Sequence, residues 1–219
     1  EPDDQPVALV EGDDWIQATQ HAAGAAGLEK SITVGFDDSG DAVVTHDVWN
    51  RGTTAITLAP WAITQLPVGG TALLPLRRSY QDPYGCQPNS VIVLWPYTGE
   101  TDTPFQLRDR TILLDSNRTS PTKVGISLDR GWLAYVREGL VFVKRAAHVT
   151  GGDYSDLGAS GQCYAGADFL ELETLGALLT LAPGERATHT ETWELRRLDS
   201  PVAAAEIARS LNLDERPRR

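Results

Sequence analysis

Phe169-Leu-Glu-Leu-Glu-Thr-Leu175 and Thr188-His-Thr-Glu-Thr-Trp-Glu-Leu195 flank the turn Ala182-Pro-Gly-Glu185. In the first run apolar and acidic residues alternate, the period of a strand whose two faces meet different surroundings. Glu171 and Glu173 therefore share one face, and Leu170, Leu172 and Thr174 share the other. Pro183 and Gly184 break the chain, and the second run resumes as a strand. Two strands with no helix between them set the reading of everything upstream.

The same grammar recurs along the chain. Ser31–Phe36 alternates, Asp37-Asp-Ser-Gly-Asp41 is a turn cluster, and Ala42–Asn50 reads as the return strand of a hairpin. Arg51-Gly-Thr-Thr54 turns again, and Ala55–Leu66 is rich in β-branched and aromatic residues. Pro60 inside that run marks an edge or a bulge. Short runs follow at Val91–Trp95, Thr111–Leu114, Lys123–Leu128, Trp132–Arg137 and Leu140–Lys144. Leu140-Val-Phe-Val143 is apolar on both faces, as a doubly covered central strand should be. Many short strands without intervening helical periodicity predict an all-β sandwich rather than a βαβ fold. One helix is expected at 200–213, with Ser200 as cap, Pro201 at its first position and good helix formers from Val202 to Leu211. Residues 1–27 are a weakly patterned lead-in with no strand expected before Leu28. The chain reads as a single domain over 1–219.

Composition narrows the function. The 219 residues carry a net charge of −11, which disfavours a nucleic-acid partner or an anionic membrane surface. No apolar run approaches the ~20 residues of a membrane helix. With no Met, even at position 1, the chain reads as a processed or trimmed product. Only Lys30, Lys123 and Lys144 are lysines, an arginine bias that fits a GC-rich bacterial source. Cys86 and Cys163 either pair in an oxidising compartment or stand as two separate buried thiols. The compartment, periplasmic, secreted or cytoplasmic, stays open.

There is no phosphate loop, G-x-S-x-G elbow, C-x-x-C or H-E-x-x-H. The histidines His21, His46, His148 and His189 lack ligand spacing, so no metal and no cofactor is expected. The acidic face of Glu171 and Glu173 is the strongest chemical signal. It is either a solvated sheet face with basic neighbours or the floor of a polar cleft with a general base. Gly151–Asp156 and Gly158–Gly161 read as loops, the usual carriers of function on a rigid sheet. Trp61, Trp95 and Trp132 lie in strands, where core packing is the first expectation.

The stretch Phe169–Leu195 looks like the last part of a galactose mutarotase-type sandwich, in which a strand bearing a Glu is followed by a Pro-Gly-Glu turn and a closing strand. Trp49-Asn-Arg-Gly52, Ala59-Pro-Trp-Ala-Ile-Thr-Gln-Leu66, Gly69-Gly70 and Pro75 resemble its central part. So do Asp109-Arg110, Gly131-Trp132, Phe142-Val-Lys144 and Tyr154-Ser-Asp156. Together they resemble an uncharacterised bacterial branch of the galactose mutarotase-like (aldose 1-epimerase-like) superfamily, a domain of unknown function. The resemblance implies a twisted supersandwich that handles sugars. In aldose 1-epimerases a Glu takes the anomeric hydroxyl proton while a His protonates the ring oxygen. Glu173 best matches that Glu, with Glu171 second. The epimerases' Asn-His-aromatic motif lines up with Ala59-Pro60-Trp61, which has no His, and a base without its acid forgoes roughly 10²–10⁴-fold of rate.

The resemblance thus implies a carbohydrate-recognising protein, with an aldose 1-epimerase-type isomerase activity resting on Glu173 or Glu171. Trp61, Arg110, Lys144 and Tyr154 fall in the family-like motifs and are the expected sugar-binding residues. The partner is then a small-molecule sugar. The alternative is a non-catalytic carbohydrate-binding or oligomer-assembly sandwich, with a homodimer as its partner class.

Overall fold

The computed structural model describes residues 6–23, 27–77, 84, 86–98, 105–199 and 202–214. Strands are numbered in chain order. A ten-stranded antiparallel sheet runs β1 (Ala8–Glu11), β2 (Trp15–Ala23), β3 (Leu28–Phe36), β4 (Ala42–Asn50), β17 (Arg186–Arg197), β13 (Leu140–Ala146), β12 (Trp132–Arg137), β7 (Thr71–Pro75), β10 (Thr111–Asp115) and β9 (Gln106–Arg108). A five-stranded sheet runs β6 (Trp61–Pro67), β15 (Phe169–Leu175), β14 (Gly161–Ala165), β11 (Thr122–Ile126) and β8 (Ile92–Leu94). β5 (Ile56–Leu58) and β16 (Leu179–Leu181) form a small ribbon. The all-β sandwich expected from the alternation is therefore present.

The core lies where the two sheets face each other. Leu170 and Leu172 of β15, Cys163 of β14 and Val124 and Ile126 of β11 pack on Ala72, Leu74, Ile112, Leu114, Leu133 and Tyr135 of the larger sheet. The period-2 reading of Phe169–Leu175 is thus realised, with its leucines inward. β13 is central: Val141 and Val143 face a second apolar cluster while Phe142 packs toward the first. That second cluster is closed by Ile207 of the helix α2 (Ala204–Ser210), fully buried against Leu73, Trp132 and Ala134.

Several expectations need correction. β1 and β2 precede Leu28, inside the stretch read as a lead-in. The four residues of β1 are all exposed, so edge pairing with β2 rather than burial defines it, and no alternation is demanded of its sequence. The run Ala55–Leu66 splits at Ala59-Pro60 into β5 and β6, and β6 is an edge strand, as proline requires. β14 occupies Gly161–Ala165, beginning at a glycine read as loop.

The C-terminal helix is shorter than expected and begins after Ala203; Ser200 and Pro201 lie outside the described residues. It ends in a Schellman motif. Asn212 is left-handed at φ 50°, its N–H donates to Arg209 O at 3.1 Å, and the Leu213 N–H donates to Ala208 O at 2.9 Å. Both cysteines are free thiols, Cys163 in the core and Cys86 exposed, so neither the disulfide nor the two-buried-thiols reading holds.

Candidate functional site

The outward face of the five-stranded sheet carries the acids. In an antiparallel pair, directly opposed residues point to the same side. Glu173 opposes Ile63 on β6 and Gln162 on β14, while Glu171 opposes Gln65 and Tyr164. Lys123 of β11 opposes Tyr164, and Gly125 opposes Gln162. The register therefore gathers a lysine, two glutamates and two glutamines from four strands.

Glu173 is the centre of this face and is fully buried. Its Oε2 accepts two bonds of 2.8 Å, from the Lys123 ammonium and from the Trp61 indole N–H. Its Oε1 is buried and has no hydrogen-bond partner among the described residues. Burial raises the Glu173 pKa above the usual carboxylate value, against the opposing pull of Lys123 and Trp61. Glu171 sits nearer solvent and accepts a bond from Gln65 Nε2 at 3.0 Å.

Aromatic rings frame the pair. The Lys123 ammonium lies 5.2 Å from the centre of the Trp61 ring and 4.8 Å from that of Trp95, within cation–π range of both. Trp95 is held there by a turn. The Thr98 N–H donates to Trp95 O, and the Thr98 hydroxyl both donates to Lys123 O and accepts from Lys123 N–H. Gly125 lies beneath: a Cβ there would stand 3.2 Å from the Trp95 ring and 2.6 Å from Ala159 Cβ. Trp61 is 56% exposed, which corrects the core expectation for that residue, whereas Trp132 is fully buried. Tyr97 is 37% exposed, and its phenol pKa is raised by burial and by Tyr164, Glu173 and Glu171 nearby. It stays a proton-bearing donor at neutral pH.

A strained turn, α1 (Ser155–Gly158), borders this face. Asp156 (φ 52°, ψ 47°) and Leu157 (φ 57°, ψ 29°) both adopt left-handed backbone. Asp156 accepts a 2.8 Å bond from Gln162 Nε2, which also donates to Ala159 O. Such strain clusters at functional sites.

The structure brings Glu173, Glu171 and Trp61 together and separates the other expected residues. Lys144 is fully buried between the sheets, on the opposite side of β15. Its ammonium donates to Ala62 O, Thr64 Oγ1 and Leu172 O and pairs with Glu191 Oε1 at 2.9 Å. Its ammonium is taken up by these four acceptors on the inner side of the sheet, away from the face that carries the acids, and it leaves the candidate set. Arg110 lies in the β9–β10 hairpin turn, donating to Arg77 O and Asn89 Oδ1. Tyr154 is buried, stacked on His148, with its hydroxyl accepting from Val149 N–H. Sequence reasoning missed Lys123, Trp95 and Gln162. The one available signal was a lysine at the head of the short run Lys123–Leu128, in a chain with three lysines.

Two of the histidines sit on the other side of β15, facing the larger sheet's interior. His189 Nε2 and Thr174 Oγ1 are 2.7 Å apart, Thr174 donates to Glu191, and His46 Nε2 lies 3.4 Å from Glu191 Oε2. Among the described residues no group of three or more His, Cys, Asp or Glu is arranged to hold a metal.

No protein-family model and no curated protein sequence matches the chain. Solved structures do. A candidate aldose 1-epimerase from Escherichia coli K12 superposes with a TM-score of 0.59 at 15% identity, over 88% of this chain and 69% of that one. A galactose mutarotase-like protein from Lactobacillus casei gives 0.55 at 13% identity, over 87% and 73%. A TPR-domain-containing protein from Parabacteroides distasonis gives 0.55 at 15%, over 90% of this chain but 35% of that one. The molecule is an antiparallel β-sandwich with a polar, aromatic-framed outer face. Its fold is the galactose mutarotase-like fold.

Proposed function

We propose that the outer face of the five-stranded sheet binds a reducing sugar and that Glu173 is the base of an aldose 1-epimerase-type ring opening. The observation that carries this reading is the carboxylate itself. It is buried, one oxygen is held by Lys123 and Trp61, and the other is buried without a partner. An acceptor left unmatched in a folded protein invites a donor such as a sugar hydroxyl. Exposed Trp61 and Tyr97 supply stacking surface beside it. Burial raises the Glu173 pKa toward the range useful to a base. The test is a thermal-shift panel of free aldoses on wild type and Glu173→Gln, followed by NMR of anomer exchange. Sugar-dependent stabilisation with faster exchange, both lost in Glu173→Gln, supports the reading. No hit across the panel overturns it.

A second reading, assembly through the free end of the larger sheet, has its own observation. Leu9, Ile16, Ile32 and Phe36 share one face of β1–β3 by register and are 61%, 41%, 45% and 67% exposed. A second copy is the occupant this reading names. A concentration series in sedimentation equilibrium, with Ile32→Glu as control, tests it, and a monomer throughout sinks it.

A further inference from the structure

We propose that Lys123 is the proton donor of this site, standing in for the histidine that the stretch Ala59-Pro60-Trp61 lacks; the inference rests on Glu173 being the base. Opening a cyclic hemiacetal moves two protons at two oxygens borne by the same carbon. The base takes the proton from the anomeric hydroxyl, and the acid gives one to the ring oxygen. An acid and a base serving one carbon must both reach its two oxygens and so stand close together. Lys123 Nζ and Glu173 Oε2 are 2.8 Å apart.

The other candidates fail on chemistry or on place. Trp61 also donates to Glu173, but an indole N–H does not hand over its proton at ordinary pH. His46 and His189 are bound into the Thr174–Glu191 cluster on the far side of β15. Tyr97 is a phenol whose burial makes it a poorer acid still. Lys123 has the equipment for the role. Two indole faces flank its ammonium, and the Thr98 hydroxyl fixes its backbone. Its side chain is 11% exposed beside the open Trp61, on the face where a ring stacked on Trp61 would lie.

The step balances without an added reactant. Glu173 carboxylate takes the anomeric O–H proton, and the electron pair of that bond forms the C1 carbonyl. The bond from C1 to the ring oxygen breaks, and the ring oxygen takes a proton from the Lys123 ammonium. The open-chain aldehyde turns about the C1–C2 bond. On closure the neutral Lys123 amine removes the hydroxyl proton as that oxygen attacks C1, and neutral Glu173 returns its proton to the anomeric oxygen.

The experiment is anomer-exchange NMR on freshly dissolved α-D-galactose and α-D-glucose, with wild type, Lys123→Arg and Lys123→Met, beside thermal shifts for the same sugars. Arginine keeps the charge but does not release a proton. The expected result is that Lys123→Arg retains the sugar-induced thermal shift while exchange slows by about 10²–10⁴-fold. Exchange by Lys123→Arg at the wild-type rate would make Lys123 a charge partner only and overturn the inference. Wild type that binds sugar without accelerating exchange would instead remove the base reading, and the inference with it.

Discussion

Glu173 and Thr174 are consecutive on β15, yet their side chains serve two separate polar systems on opposite sides of one sheet. Glu173 turns outward to Lys123 and Trp61, and Thr174 turns inward to His189 and Glu191. The pleat alone produces this division. The outer system borders solvent through Trp61, and the inner one lies between the sheets with His189 and Glu191 buried. On the proposed function, chemistry and stability fall to neighbouring residues, and substitutions at the two positions should separate them.

The inner system predicts a large stability effect. Lys144 and Glu191 are both fully buried and in contact, and Lys144 has four acceptors around its ammonium. Replacing Lys144 by Met leaves the Glu191 carboxylate buried without its cation. Breaking such a pair from one side costs about 3–5 kcal/mol. Urea denaturation of Lys144→Met should show that loss, while any sugar-induced thermal shift at the outer face persists in the folded fraction. A loss below 1 kcal/mol would mean that Glu191 is compensated by His46 or Thr174 alone.

The same cluster predicts acid lability with a defined window. Burial lowers the His189 pKa from 6.5 to about 4, with His46 and Lys144 acting in the same direction and Glu191 opposing. The folded protein thus binds this proton less readily than the unfolded chain. The resulting stability is complete above about pH 6.5 and is lost as pH falls toward 4. Glu191, lowered from 4.5 to about 2 by its partners despite burial, adds a second loss below pH 4.5. Denaturation midpoints between pH 7 and 4 should fall in wild type. In His189→Gln, where an amide still donates to Thr174, the slope over pH 6.5–4 should flatten. An unchanged slope would move the titration elsewhere.

How much of this was legible follows from what each residue answers to. The placement of Glu171 and Glu173 on one face needed only the period of a strand, and so did the inward course of Leu170 and Leu172. Lys123 and Trp95 needed the register of β11 on β14, a pairing between segments about forty residues apart that no local pattern encodes, carried on to β15 by the β14–β15 hairpin. Lys144 read as a binding residue because it stands in a family-like motif. Its burial depends on the carbonyls of β6 and β15, which the sequence of β13 does not announce. β1 and β2 escaped notice for the opposite reason: with little burial to satisfy, their sequences carry little alternation.

Trp61 predicts a separation of binding from folding. At 56% exposure its ring contributes little to the core, so Trp61→Phe should cost about 1 kcal/mol or less in stability, as exposed positions do. It should nonetheless remove the N–H that holds Glu173 Oε2. Phenylalanine keeps a stacking face, so sugar-induced stabilisation should weaken rather than vanish, and the acid limb of the pH–rate profile should move upward as Glu173 loses a donor. An unmoved limb would mean that Lys123 alone sets the carboxylate.

Gly125 tests the frame beneath the site. It lies in β11, opposite Gln162, and its missing side chain is the space that Trp95 and Ala159 occupy. A methyl group there would stand 2.6 Å from Ala159 Cβ and 3.2 Å from the Trp95 ring. The strand backbone is held on both sides by β14 and β8, so the indole and the turn bearing Ala159 must move instead. Overpacking of this kind costs about 1–3 kcal/mol. Displacing Trp95 also removes one of the two rings around the Lys123 ammonium. Gly125→Ala should therefore lower both the melting temperature and the sugar-induced shift, and tryptophan fluorescence should report a Trp95 in altered surroundings. A variant that melts lower but binds and exchanges as wild type does would show that Trp95 packs the sheet without shaping the site.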